Sequence, residues 1–142
     1  MIFLFNVVLT MFMTGLIWFV QIVHYPLFNR VGSSVFNDYH KLHVIFTGRV
    51  VIIPMVLELV VAFLWLFDCL DTQYFYPAIM NVVLLFGIWS STFFFQVPAH
   101  NRIAIQFNQS DYHILVKTNW IRTLLWSLKS LLLLYILQGM LG

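Results

Sequence analysis

Residues 44–67 read VIFTGRVVIIPMVLELVVAFLWLF, a run of 24 residues whose only charges are Arg49 and Glu58. A helix that crosses a bilayer needs about 20 predominantly apolar residues, so this stretch reads as a membrane span. Three others have the same character, at approximately 2–23, 76–97 and 116–139. In a chain of 142 residues they leave only short connections and no room for a soluble domain. Composition agrees: 62% of residues are hydrophobic and 8% are charged, where a soluble domain carries about a quarter charged. The sequence predicts one integral membrane domain over 1–142, all-α, with four transmembrane helices in an up-down bundle.

The opening stretch, MIFLFNVVLTMFMTGLIWFV, has no basic leader and no small-x-small cleavage site. It is read as a retained helix rather than a signal segment. One cysteine, Cys69, excludes an internal disulfide and a cysteine-built metal cage. Nothing in the chain suggests a nucleic-acid partner.

Alternating helices place the 1–2 and 3–4 connections on one side and the termini with the 68–75 loop on the other. The cations are Arg30, Lys41, Arg49, Arg102, Lys117, Arg122 and Lys129, and all but Lys129 lie in or within two turns of the first side. The other side offers Asp68 and Asp71. The positive-inside rule puts the long connections in the cytoplasm and both termini outside. All five histidines, His24, His40, His43, His100 and His113, fall on the cytoplasmic side.

Residues 37–49, NDYHKLHVIFTGR, have an echo in 110–122, SDYHILVKTNWIR. Asp38-Tyr39-His40 precedes Arg49 at the spacing by which Asp111-Tyr112-His113 precedes Arg122, and Pro26-x-x-Asn29-Arg30 matches Pro98-x-x-Asn101-Arg102. The offset is 72–73 residues, about half the chain. Such a pattern predicts two duplicated helical hairpins, 1–70 and 71–142, in parallel orientation about an axis along the membrane normal. Pro26 and Pro98 are expected to end helices 1 and 3, since proline lacks the N–H a helix needs. Asp38 and Asp111 are expected to cap helices 2 and 4. The halves differ where His43 faces Val116 and where His100 faces Phe28.

At 100° per residue, His40, His43, Thr47, Val51, Pro54 and Glu58 form one stripe of helix 2, with Pro54 expected to kink it. Asn119, Arg122, Trp126 and Lys129 share a face of helix 4 at 3-4-3 spacing. A carboxylate deep in hydrocarbon must be neutral, paired or watered. The repeat puts Lys129 at the depth of Glu58, which predicts an intramembrane Glu58–Lys129 pair in the bundle core. Gln21 and Gln96 stand near the histidine layer.

Imidazole is the commonest protein metal ligand and suits iron, copper, zinc and haem. His40 and His43, three residues apart, present both rings to one side; His24 and His100 could complete a set. These four are the expected metal ligands, with His113 and Arg49 as further cofactor-binding residues and haem between two histidines as the variant. Asn119, Arg122, Glu58 and Lys129 are the expected catalytic or substrate-orienting groups. There is no Glu-x-x-His pair and no HExxH, so the di-iron carboxylate bundle and the zincin site are disfavoured. The composite reading is a metal- or haem-dependent oxidoreductase acting on a lipid-soluble substrate. A metal-free alternative lets the histidines, Arg49, Arg122 and Asn119 bind an anionic headgroup or quinone-like ring. A second class is a non-enzymatic carrier or accessory subunit using Glu58–Lys129 as a gate. The apolar outer faces leave a homodimer open.

The stretches QIVHYPLF, YHKLHVIFTGR, PMVLELVVA, STFFFQVPAHNR and LVKTNWIRTLLW resemble a group of small, uncharacterised bacterial four-helix membrane proteins. The second half, QVPAHNR followed by NWIR, is more distantly similar to the domain-of-unknown-function family that contains the anthrone oxygenases. The first resemblance implies a bacterial cytoplasmic-membrane protein of this fold. The second implies oxygenation of an aromatic, membrane-soluble substrate, with Pro98, Asn101, Asn119 and Arg122 at the matching positions. The first half departs from that family by adding His24, His40 and His43.

Overall fold

The computed structural model describes residues 1–32 and 34–141. Four helices, α1 (Ile2–Phe28), α2 (Phe36–Asp68), α3 (Phe75–Ile105) and α4 (Gln109–Leu141), are each long and apolar enough to cross a membrane. No strand occurs among the described residues. The starts of α1 and α3, and of α2 and α4, are both 73 residues apart, as are the ends of α2 and α4.

The helices outrun the apolar runs that predict them. At about 1.5 Å per residue, a 33-residue helix such as α2 is about 50 Å long, against about 30 Å of bilayer hydrocarbon. Much of the extra length lies at the histidine end. There Phe36, His40 and His43 continue the inward face of α2, and Tyr112, Leu115 and Asn119 that of α4. A helix propagates as long as its buried face has something to pack on, so the D-Y-H segments lie inside the first turns rather than before them.

This corrects the capping roles. Asp38 is exposed in the first turn of α2, whose start has no side-chain cap. At α4, the Asn108 side chain accepts the Asp111 N–H at 2.8 Å and donates to the Asp111 carboxylate at 2.6 Å. Asp111 itself pairs with Arg102 at 2.6 Å.

The prolines do not end their helices either. α1 runs through Pro26 and α3 through Pro98, each preceded by a π-helical turn, Val20–His24 and Thr92–Gln96. The Tyr25 N–H bonds to the Val20 carbonyl and the Val97 N–H to the Thr92 carbonyl, both five residues back. Proline removes one i→i−4 bond and crowds the carbonyl behind it; a widened turn relieves both, and such π turns often mark functional sites. The two turns begin 72 residues apart. Pro54 lies within an uninterrupted α2.

The helices stand in a ring, α1 beside α2 and α4, α3 beside α2 and α4, so α2 and α4 face one another across the core. Phe28, Phe36, Leu85, Ile88, Leu115 and Trp126 anchor the larger apolar cluster; Phe3, Trp65 and Leu133 anchor a smaller one toward the termini. α3 and α4 approach closely where Gly87 meets Leu125, since a Cβ on Gly87 would stand 3.1 Å from the Leu125 Cδ1. Polarity is inverted relative to a water-soluble bundle: Ile52, Phe86, Phe94 and Leu131 are exposed, whereas Asn6, Asn81, Glu58, Asn119 and Lys129 are buried.

Candidate functional site

The ring arrangement delivers Glu58 from α2 and Lys129 from α4 to the same point in the core. Their side chains are 0% exposed and the Lys129 Nζ lies 2.8 Å from the Glu58 Oε1. The ammonium also donates to the Asn6 Oδ1 at 3.0 Å and to the Thr10 hydroxyl, so its three N–H bonds have three acceptors. Thr10 donates to the Glu58 Oε1 at 2.8 Å and the Trp126 Nε1–H to the Oε2 at 3.2 Å. A buried pair is tolerable only when its remaining lone pairs and protons find partners, and here they do.

One helical turn up α4, the Arg122 guanidinium stacks over the Trp126 ring at 5.3 Å and donates to the Asn119 Oδ1 at 3.4 Å. The Asn119 amide donates to the Gln21 Oε1 at 2.8 Å, and Gln21 donates in turn to the Val116 carbonyl at 3.3 Å. All four side chains predicted on the inward stripe of α4 are thus in the core.

Beyond Arg122 comes the histidine layer. His24 closes the π turn of α1, His40 and His43 come from the first turns of α2, and His100 follows the π turn of α3. The four rings meet. The His24 Nε2 and His43 Nδ1 are 2.7 Å apart, and the His40 Nε2 and His100 Nδ1 are 3.0 Å apart. The His43 and His100 rings stack at 5.6 Å, joining the two pairs. Phe28 contacts all four imidazoles, with centroids 4.9–6.5 Å away, and Phe36 stacks on His40 at 5.7 Å.

Hydroxyls add to both pairs. Thr47 lies 3.0 Å from the His43 Nδ1, the nitrogen that also meets His24. The Tyr25 hydroxyl lies 3.0 Å from the His100 Nε2 and 3.3 Å from the Gln96 Oε1; the Gln96 amide donates to the Thr118 hydroxyl at 2.8 Å. One phenolic proton cannot serve both neighbours of Tyr25. When it goes to Gln96, the His100 Nε2 must be the donor and the Nδ1 accepts from His40; when it goes to His100, both bonds of His100 reverse and the Gln96 Oε1, which can only accept, loses this donor.

His113 and Arg49 are not brought to this layer. His113 is exposed on the outer face of α4 beside Tyr112, and Arg49 is exposed with its guanidinium over Phe46. Both face away because the inward positions of their turns belong to Tyr112 and to His43 and Thr47. Thr47 stands where the stripe of helix 2 puts it, beside His43, whereas Tyr25 and Thr10 join the polar core without having been singled out in the sequence. For Tyr25 the available signal is its place between His24 and Pro26; a lone threonine in an apolar run gives none.

Haem between two of these histidines does not fit, which corrects that variant. Axial nitrogens stand about 4 Å apart, twice a metal–nitrogen bond of about 2 Å, with a porphyrin between them; here the rings are in direct hydrogen-bond contact. For a bare metal ion the nitrogens meet two by two, and no three His, Cys, Asp or Glu side chains among the described residues converge on one point. No protein family, curated protein or solved structure matches this chain.

Proposed function

We propose that this chain is a multi-pass membrane protein whose histidine cluster holds a metal ion and serves as the centre of an oxidoreductase for a lipid-soluble substrate. The observation that carries the reading is the convergence of His24, His40, His43 and His100 from three helices, in two pairs at 2.7 and 3.0 Å. Two ligands on one tetrahedral metal with bonds of about 2.0–2.1 Å sit about 3.3 Å apart. The pairs therefore need to open by about 0.6 and 0.3 Å, and to close on one point for a four-histidine site; the shared proton is what a metal would replace.

Four imidazoles without a carboxylate suit copper, iron or zinc, and the bound ion would supply the redox or Lewis-acid chemistry. The chain's own residues do the rest. Tyr25 orients His100 from the ring nitrogen opposite the one that meets His40, the outer contact that sets tautomer and ligand basicity, whereas Thr47 shares the His43 Nδ1 with His24. Phe28 and Phe36 exclude water from one side of the rings. Asn119 and Arg122 lie next along the core as substrate-orienting groups.

Inverted polarity and the four long apolar helices support membrane insertion. Six of seven cations near the histidine end support a cytoplasmic location for that end, in a bacterial inner membrane as the sequence resemblance implies. Matching helix bounds and paired π turns at an offset of 72–73 residues support a duplicated parallel hairpin.

The test is elemental analysis and absorption spectroscopy of protein purified in mild detergent. About one metal per chain, lost in a His24→Ala/His43→Ala variant, is the expected result. A preparation that is metal-free and takes up no added iron, copper or zinc would overturn the reading.

One observation favours a second reading: the buried Glu58–Lys129 pair is a costly device for an enzyme that does not use it. In that reading the chain is a carrier or accessory subunit with the pair as a proton or ion gate. Pyranine-loaded proteoliposomes separate the two, since a gate predicts a proton flux that Glu58→Gln abolishes.

A further inference from the structure

The chain has five acidic residues, and none of them neutralises Arg122. Asp111 pairs with Arg102, and Asp38, Asp68 and Asp71 are exposed. Glu58 is fully engaged by Lys129, Thr10 and Trp126. Yet Arg122 is only 8% exposed. A guanidinium carries five N–H donors; this one reaches Asn119 at 3.4 Å, and its buried Nε–H has no acceptor.

A buried charge costs several kcal/mol unless paired and hydrogen-bonded, and the face of Trp126 offsets only part of that. The four neighbouring histidines supply no negative charge. A divalent metal among neutral imidazoles would make the region more positive still.

We propose that Arg122 is the counter-charge for a ligand bearing one negative oxyanion on an apolar body, such as a long-chain carboxylate, bound beside the histidine cluster. Arg122 would pair with the oxyanion bidentately, as guanidinium does with carboxylate. Asn119 and Tyr25 stand next to it as hydrogen-bonding groups. A single charge fits because no second free cation is in the core among the described residues: Lys129 is saturated. An apolar body fits because the bundle's outer surface is apolar and the charge lies well inside α4. For turnover this rests on the oxidoreductase reading, whose substrate class it names; binding needs no metal.

Displacement of cis-parinarate from purified protein in phosphatidylcholine nanodiscs tests it, with palmitate, methyl palmitate, phosphatidylglycerol and acetate as competitors and empty nanodiscs as the partition blank. Palmitate is expected to bind at least tenfold tighter than its ester. Arg122→Gln should bring that ratio close to one, and Arg122→Lys should keep part of it. Thermal unfolding separates a ligand site from a structural one: Arg122→Gln should leave Tm unchanged or raised, because it removes an uncompensated charge.

Displacement by phosphatidylglycerol instead of palmitate upholds the same chemistry with a lipid headgroup as its source. Equal affinity for acid and ester, a ratio that survives Arg122→Gln, failure of all the competitors, or acetate as effective as palmitate would each overturn the proposal. Metal content measured on the same samples keeps the two readings apart. Acid preference in metal-free protein sinks only the metal centre, and metal without acid preference sinks only the oxyanion site.

Discussion

Replacing Glu58 with glutamine keeps the side chain's shape and removes its charge. Lys129 would then hold its ammonium at 0% exposure with only Asn6, Thr10 and an amide oxygen around it. Breaking a buried pair from one side costs about 3–5 kcal/mol, because the charge left behind is uncompensated. Lys129→Met should cost a similar amount by stranding the carboxylate against Thr10 and Trp126. The double variant Glu58→Gln/Lys129→Met strands neither charge, and apolar substitution of a whole pair is often neutral. It should therefore lie within about 2 kcal/mol of the wild type, giving a coupling energy of about 4 kcal/mol or more, roughly a thousandfold in the folding equilibrium. Equilibrium unfolding in mixed micelles of SDS and a mild detergent measures all four corners of this cycle. Single variants that each cost under about 1 kcal/mol, or costs that add to within about 0.5 kcal/mol, would refute the coupling.

Other contacts make narrower predictions. Tyr25→Phe removes the hydroxyl that orients His100 and should weaken metal binding about 10- to 100-fold in a competitive chelator titration. His113→Ala and Arg49→Ala, whose side chains face away from the layer, should leave it unchanged in the same titration. Gly87→Leu should destabilise by about 1–3 kcal/mol through overpacking against Leu125, whereas Gly87→Ala should cost little because the end of a flexible side chain is what must yield. Arg102→Ala breaks a pair whose arginine is about half exposed and should change stability by no more than about 1 kcal/mol. Cys69 is buried and burial pushes its thiol above the ordinary range, so it should react slowly with maleimide. In a Cys69→Ser background, cysteines placed at Ser34 and Gln73 should label from opposite sides of intact membrane vesicles.

The apolar runs made the helix number and order legible before any coordinates, because hydrocarbon-length stretches have few other readings. Helix ends were not legible. Phe36 extends α2 by packing on Phe107, a partner distant in sequence that no local signal announces, and Tyr112 packs on the same Phe107 at the start of α4. Pro26 and Pro98 look like terminators only while the alternative, a π turn just upstream, is unseen. The 3-4-3 stripe of Asn119, Arg122, Trp126 and Lys129 was readable because helical periodicity alone puts those groups together, and the repeat supplied the depth that matched Lys129 to Glu58. Among the histidines, His24, His40, His43 and His100 converge, whereas His113 faces outward although its D-Y-H context duplicates that of His40. Both lie four residues after their helix starts, but the inward position of that turn is His40 on α2 and Tyr112 on α4.

The most direct measurement is X-ray absorption of purified protein loaded with one equivalent of zinc, copper or iron. A metal held by the histidine cluster should show a first shell of nitrogens alone at about 2.0–2.1 Å with the outer-shell scattering of imidazole, and His24→Ala/His100→Ala should abolish it. A first shell containing sulfur, or binding undiminished in that double variant, would contradict the assignment of the metal to these four histidines.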